Sequence, residues 1–105
     1  MQMKNVFIHH VYFWLKNADS AEDLTALVAG LEKLAVCATI QQYHIGKPAA
    51  TSRDVIDGSY AVSWCLFFAN KADQDAYQTD AMHLHFIDTC QHLWNKVVVY
   101  DSVDV

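Results

Sequence analysis

Apolar residues along this chain follow two different spacings. Four segments are rich in β-branched and aromatic side chains, and this composition predicts four strands, at residues 3–15, 39–45, 60–68 and 97–103. In residues 60–68 neither of the two alternating faces is polar, which is typical of a central strand that is covered on both sides.

Two regions between these strands carry apolar residues at helical spacing. Ser20 and Asn70 precede them, and either side chain can cap the first turn of a helix. In the second region, residues 71–94, Thr79 or Asp80 is expected to interrupt the helix, because either residue can cap a new start. The order strand-helix-strand-strand-helix-strand predicts an α+β protein, a ferredoxin-like βαββαβ protomer with one antiparallel four-stranded sheet.

The charge of the chain argues against a nucleic-acid partner. The 105 residues are expected to form one domain over residues 1–105, with a formal net charge of -5 and seven scattered basic residues. No stretch approaches the length of a transmembrane helix, so no membrane partner is expected. The apolar run at residues 6–15 contains two histidines and lacks a cleavage site, which argues against a signal peptide.

The three cysteines, Cys37, Cys65 and Cys90, have no CxxC spacing and no base next to them in the sequence. This pattern predicts reduced, packed thiols in a cytoplasmic protein.

One cluster has the residue types of a metal site. His85, Asp88 and His92 share a helical face at spacings of three and four. The two histidines lie two turns apart, too far for a compact site, and the alternative is an ordinary solvated polar face. With no phosphate loop, dinucleotide motif or zinc-ligand spacing, the sequence predicts neither a metal nor a cofactor.

The best candidates for chemistry are Tyr77 and His83, which stand on either side of the expected helix break. An imidazole titrates near neutral pH and can accept a proton from carbon or oxygen. A phenol can donate a hydrogen bond to a developing oxyanion. The alternative is a buried tyrosine–histidine contact that only stabilises the break.

Aromatic residues on several elements suggest a ligand cavity. Alternation puts His10, Tyr12 and Trp14 on one face of the first strand, which is predicted to face the barrel interior, while Val11 and Phe13 pack on the helices. The alternative is ordinary packing at a subunit interface. The residues expected to line the cavity are His10, Tyr12, Trp14, Val62, Trp64, Phe86, Trp94, Val97 and Val99.

Several short sequence motifs occur along the chain, each at a fixed place in the order of these strands and helices. They are His9-His10-Val11-Tyr12-Phe13, Gly46 after the second strand, Tyr60 at the start of the third, Ala76-Tyr77, Ala81-Met82-His83 with Phe86, and Val97-Val98-Val99-Tyr100-Asp101. In their order and spacing, nearly the whole chain resembles the stress-responsive α/β-barrel family, whose members are called Dabb domains.

The resemblance implies a homodimer in which two sheets form a dimeric α/β barrel. Some members resemble polyketide cyclases that use a helix histidine and a nearby tyrosine as an acid/base pair, and the matching positions are His83 and Tyr77. The family often has His-Pro-x-His where this chain has Asp80-Ala81-Met82-His83. The family's first-strand histidine corresponds to either His9 or His10, which point to opposite faces.

Three functions follow as hypotheses. The first is a Dabb homodimer of undefined physiological role, paired through its sheet face, with a cavity for a small aromatic or polyketide-like molecule. The second is a cofactor-free cyclase, isomerase or monooxygenase-like enzyme for a small carbonyl compound, with His83 as base and Tyr77 as donor. The third is a purely structural, stress-associated protein. A cavity reached by both side chains favours the second, and a closed barrel without a void favours the third.

An obligate homodimer is also predicted from the strands themselves. Neither the third nor the fourth strand has a polar face, and a ferredoxin-like sheet carries its helices on one side only. The other side would be an apolar surface larger than soluble monomers usually expose.

Overall fold

The computed structural model describes residues 1–105 and contains four strands, three α-helices and a short 3₁₀ turn. The strands form one antiparallel sheet in the order β2-β3-β1-β4. This arrangement confirms the predicted ferredoxin-like α+β fold. In chain order the elements are β1 (Phe7–Leu15), α1 (Ala21–Leu34), β2 (Gln42–Gly46), β3 (Val62–Phe68), α2 (Lys71–Thr79), α3 (Ala81–Cys90), the 3₁₀ turn (Gln91–Leu93) and β4 (Trp94–Val103).

Side-chain caps begin all three helices, as the polar residues before them predict. Ser20 caps α1 and Asn70 caps α2. Between α2 and α3, the backbone of Asp80 is extended, and its carboxylate accepts a hydrogen bond from the Met82 amide at 2.8 Å. The Asp80 amide donates to the carbonyl of Tyr77. A single residue therefore ends one helix and starts the next.

The second helical region ends earlier than its apolar pattern predicts. The expectation of helix to residue 94 is wrong, because α3 stops at Cys90 and β4 already begins at Trp94. The intervening turn buries Leu93, and Trp94 pairs with Leu15 of β1. These are tertiary contacts that outweigh the local preference for helix.

The helices cover only one face of the sheet. Alternate residues of β1, among them Val11 and Phe13, are buried on that face, as are the even-numbered residues of β3. The main core residues beneath the helices are Val11, Phe13, Leu27, Leu31, Leu34, Val62, Trp64, Leu66, Phe68 and Phe86.

The opposite side of the sheet, called here the open face, has no helix over it. Its side chains include Tyr12 and Trp14 of β1, Phe67 of β3, and Val98 and Tyr100 of β4. Tyr100 is 66% exposed. No helix of the chain combines the length and the apolar character needed to span a bilayer.

Candidate active site

A cavity of about 240 Å³ lies between the sheet and the pair α2–α3. Its walls are mostly aromatic and aliphatic, and no Lys, Arg, Asp or Glu side chain lines it. The lining residues are His9, Val11, Phe13, Trp64, Tyr77, Gln78, His83, Phe86, Ile87, Trp94, Val97 and Val99.

Tyr77 comes from the last turn of α2 and is 2% exposed. Its phenol oxygen accepts a hydrogen bond from the indole nitrogen Nε1 of Trp64 at 3.1 Å. Burial raises the pKa of the Tyr77 phenol, and the bond from Trp64 opposes that rise only in part. The phenol therefore keeps its proton at neutral pH and can donate it in a hydrogen bond.

His83 stands in the first turn of α3, where the Asp80 cap sets the direction of the helix. Its ring lies edge-to-face with that of Tyr77, with 4.8 Å between the centroids. Burial lowers the pKa of His83, and His9 lowers it further, whereas the Gln78 backbone and the Asp80 carboxylate raise it. The balance favours the neutral imidazole.

The Nδ1 atom of His83 is buried and has no hydrogen-bond partner in the protein. No other buried side-chain nitrogen or oxygen of the chain lacks a hydrogen-bond partner. A buried polar atom without a partner costs about 1–3 kcal/mol, so the ring nitrogen of His83 that remains for a ligand is Nε2.

His9 completes the polar part of the cavity. It shares the helix-side face of β1 with Val11 and Phe13, is 5% exposed, and its ring lies 5.9 Å from that of Tyr77. Its Nδ1 atom lies 2.5 Å from a carboxylate oxygen of Asp101, the residue directly across from it on β4. The site thus has two imidazoles, one phenol and, behind them, one carboxylate.

Residues 7–104 match the sequence model of Dabb, the stress responsive A/B barrel domain. The chain belongs to this family. A comparison with curated protein sequences finds no match.

Solved structures share the fold of this Dabb chain at low sequence identity. A Dabb family protein from Mesorhizobium loti has a TM-score of 0.78 and 20% identity, and the match covers 95% of this chain and 97% of that one. Hydroxynitrile lyase from Passiflora edulis has a TM-score of 0.80 and 17% identity, with coverage of 98% and 96%. A dimeric ferredoxin-like protein of unknown function from Thermobifida fusca has a TM-score of 0.75 and 14% identity, with coverage of 98% and 94%.

The residues that the sequence pattern assigned to one cavity lie in three places. Trp64, Phe86, Trp94, Val97 and Val99 line the cavity around Tyr77 and His83. A second set of residues, on the open face, is separated from that cavity by the sheet. It consists of His10, Tyr12 and Trp14. Val62, 1% exposed, packs in the core and lines neither surface.

The two faces of β1 are as predicted, with Val11 and Phe13 under the helices, but the cavity of Tyr77 and His83 lies on the helix side and not on the side of His10. His10 stacks on Tyr12 at 4.4 Å, and the Tyr12 hydroxyl lies 3.2 Å from its Nδ1 atom. His9 therefore takes the inward position under the helices, beside Val11 and Phe13. The helix-packing residues Val11 and Phe13 were the signal in the sequence, since His9 must share their face.

Asp101 is a site residue that sequence reasoning missed. In the sequence Asp101 belongs only to the motif of the last strand, and no local pattern links it to His9, which is 92 residues away. The register of β1 and β4 brings the two together.

The remaining candidates do not join the site. His85, Asp88 and His92 are exposed on the surface of α3 and the turn after it, and no three His, Cys, Asp or Glu side chains of the chain are placed to hold a metal ion. All three cysteines are free.

Proposed function

We propose that this Dabb protein is a cofactor-free acid/base enzyme for a small, uncharged carbonyl compound, with His83 as base and Tyr77 as hydrogen-bond donor. The observation that carries the proposal is the cavity that Tyr77 and His83 both line, with the His83 ring packed edge-to-face on that of Tyr77.

The protonation states support these two roles. Burial lowers the pKa of His83, so its imidazole is unprotonated at neutral pH and free to accept a proton. Burial raises the pKa of Tyr77, so its phenol remains a donor. His83 would remove a proton from the carbon next to the carbonyl, while Tyr77 would donate a hydrogen bond to the oxygen on which negative charge develops.

The lining supports an uncharged substrate. A carboxylate or phosphate would enter a space without a Lys or Arg side chain and would lose its hydration with little compensation. Phe86 and Trp94 stack at 5.5 Å with an angle of 24° between their planes, and they offer a flat wall to an aromatic group. The fold accommodates enzymes, since one protein that shares it is a hydroxynitrile lyase. A void of this kind also argues against a purely structural role.

The test is deuterium exchange in D₂O, followed by ¹H NMR. The probes are phenylacetone and benzoylacetone, two uncharged aromatic ketones with exchangeable α-protons, and mandelonitrile is added to detect cyanohydrin cleavage. We expect exchange above the buffer rate, and we expect His83→Gln to lower the enzymatic rate by about 10²–10⁴-fold. His85→Gln, on the exposed side of the same helix, is the matched control and should leave the rate unchanged. Equal rates for the wild type and His83→Gln would refute the assignment of the base.

We also propose that two copies associate through the open face. Its aromatic residues, Tyr12, Trp14, Phe67 and Tyr100, are uncovered in the protomer, and a two-fold axis would let the same surface serve both copies. Solved structures that share the fold are described as dimeric. Burial of the open face stabilises a pair by about 25 cal/mol per Å² of apolar area before the costs of association.

A further inference from the structure

The contact between His9 and Asp101 joins a buried group to a partly exposed one. The His9 side chain is 6% exposed, whereas that of Asp101 is 44% exposed. Their contact, from Nδ1 to Oδ1, measures 2.5 Å, which is within hydrogen-bond distance. Neither atom takes part in the chemistry assigned to Tyr77 and His83.

The chemistry of the two groups determines where the His9 proton lies. An ionised carboxylate only accepts hydrogen bonds, so the Nδ1 atom of His9 must be the donor. In a neutral imidazole the other ring nitrogen, Nε2, then carries a lone pair and no proton. Since Nδ1 is engaged by β4 and the ring lines the cavity, Nε2 is the polar atom of His9 that remains for a bound molecule.

We propose that Asp101 is a positioning residue: it holds His9 in the Nδ1–H tautomer, so that Nε2 presents a second proton acceptor to the cavity beside His83. The proposal rests on the acid/base function stated above and extends it to the substrate. A cavity with two acceptor nitrogens and one phenol donor fits a molecule that has a hydroxyl group in addition to its carbonyl, because the hydroxyl can donate to Nε2 of His9 while His83 takes the proton next to the carbonyl.

The first test reads the tautomer without any substrate. Long-range ¹H–¹⁵N correlation spectra at neutral pH distinguish a protonated from an unprotonated ring nitrogen. We expect His9 to show a protonated Nδ1 and a bare Nε2. In Asp101→Asn the amide group can donate to Nδ1, so the population should move toward the Nε2–H form. Asp88→Asn, an exposed change on α3, is the control and should leave the His9 signals unchanged.

Two results of this test would overturn the proposal. One is a wild-type His9 that carries a proton on Nε2, either as the other tautomer or as the imidazolium. The other is an Asp101→Asn spectrum in which the His9 signals do not move.

The second test measures the rate of deuterium exchange of 2-hydroxyacetophenone, an uncharged aromatic ketone that carries a hydroxyl group and exchangeable α-protons. Asp101→Asn should lower it by about 10- to 100-fold, by analogy with the loss when a partner that orients a metal-bound histidine is removed. Asp101→Glu, which restores an acceptor, should recover part of the loss, whereas a merely structural role predicts no such recovery. An unchanged rate in Asp101→Asn would show that His9 has no role in the reaction.

Together, the two tests show which of the two proposals is wrong if one of them fails. If His83→Gln leaves exchange unchanged while the His9 tautomer responds to Asp101→Asn, the acid/base function is wrong and the positioning contact stands. If His83→Gln abolishes exchange and Asp101→Asn changes neither the tautomer nor the rate, the function stands and the positioning role is wrong.

Discussion

The indole nitrogen of Trp64 donates a hydrogen bond to the phenol oxygen of Tyr77 in the interior of the protein, 3.1 Å away. Trp64 lies on the central strand β3 and Tyr77 on α2, so the bond ties the helix that ends at the site to the sheet beneath it. It also directs the phenol, because one lone pair of the oxygen is occupied and the hydroxyl proton is left to point elsewhere. The same contact thus contributes to stability and to the geometry of the site.

Tyr77→Phe should destabilise the fold as well as the site. The change leaves Trp64 Nε1 buried without an acceptor, which should lower the free energy of unfolding by about 1–3 kcal/mol. Urea unfolding followed by tryptophan fluorescence measures it. Tyr43→Phe is the control, because the Tyr43 hydroxyl bonds Glu32 at the surface. Equal stabilities of the two variants would show that the Trp64 bond contributes nothing.

Gly30→Ala should be destabilising although alanine is the better helix former. A Cβ atom at Gly30 of α1 would lie 2.5 Å from Sγ of Cys90 on α3, so the two helices or the thiol must shift. Overpacking of this kind costs about 1–3 kcal/mol, which exceeds the gain of about 1 kcal/mol in helix propensity.

The same contact predicts a smaller cost in a second background. In Cys90→Ala the thiol is gone and the nearest remaining atom is Cδ1 of Phe86 at 3.3 Å, so Gly30→Ala should cost less than in the wild type. Gly58→Ala is the control, because its nearest neighbour would be Pro48 Cβ at 3.7 Å. Chemical unfolding of the single and double variants measures the coupling, and a cost of Gly30→Ala that is equal in both backgrounds would contradict the contact.

The free energy of unfolding should decrease as the pH is lowered, and part of this decrease should come from His83. Its folded-state pKa lies below the ordinary value of 6.5 because of burial and the nearby His9. The unfolded chain therefore binds a proton more readily, and the stability present above 6.5 is lost as the pH falls through and below that value. His10, whose pKa is lowered by burial and by His44, adds to the loss in the same direction.

His83→Gln isolates the contribution of this residue. Between about pH 7 and pH 5, the variant should lose less free energy of unfolding than the wild type, whereas His85→Gln should follow the wild type. Urea unfolding at several pH values gives the slopes. A slope for His83→Gln as steep as that of the wild type would show that the pH dependence of stability comes from other residues.

The open face should hold two copies together. Sedimentation equilibrium at micromolar concentration should give twice the mass of the chain. Tyr100→Asp, which puts a charge on this face, should shift the protein toward the monomer, because burying an unpaired carboxylate is costly. Leu84→Asp, on the exposed surface of α3, should remain a dimer. A stable, folded monomer of the wild type would contradict the proposed association.

Local chemistry made most of the fold predictable from the sequence. The caps at Ser20, Asn70 and Asp80 act within a few residues, so the helix starts and the break between α2 and α3 follow from the residues themselves. The alternation of β3 likewise indicated a central strand. The end of α3 was mistaken, because the burial of Leu93 and the pairing of Trp94 depend on distant partners.

The residues of the site also fall into two groups, those that local sequence places and those that only the tertiary structure places. Tyr77 and His83 are six positions apart around one helix break, so the sequence could place them close together. Alternation determined that His9 and His10 point to opposite faces, and Val11 and Phe13 pack on the helices as predicted, but only the tertiary structure showed that the cavity of Tyr77 and His83 lies on the helix side with His9. Asp101 became a partner of His9 through the register of β1 against β4, since strand pairing joins residues that no local pattern connects.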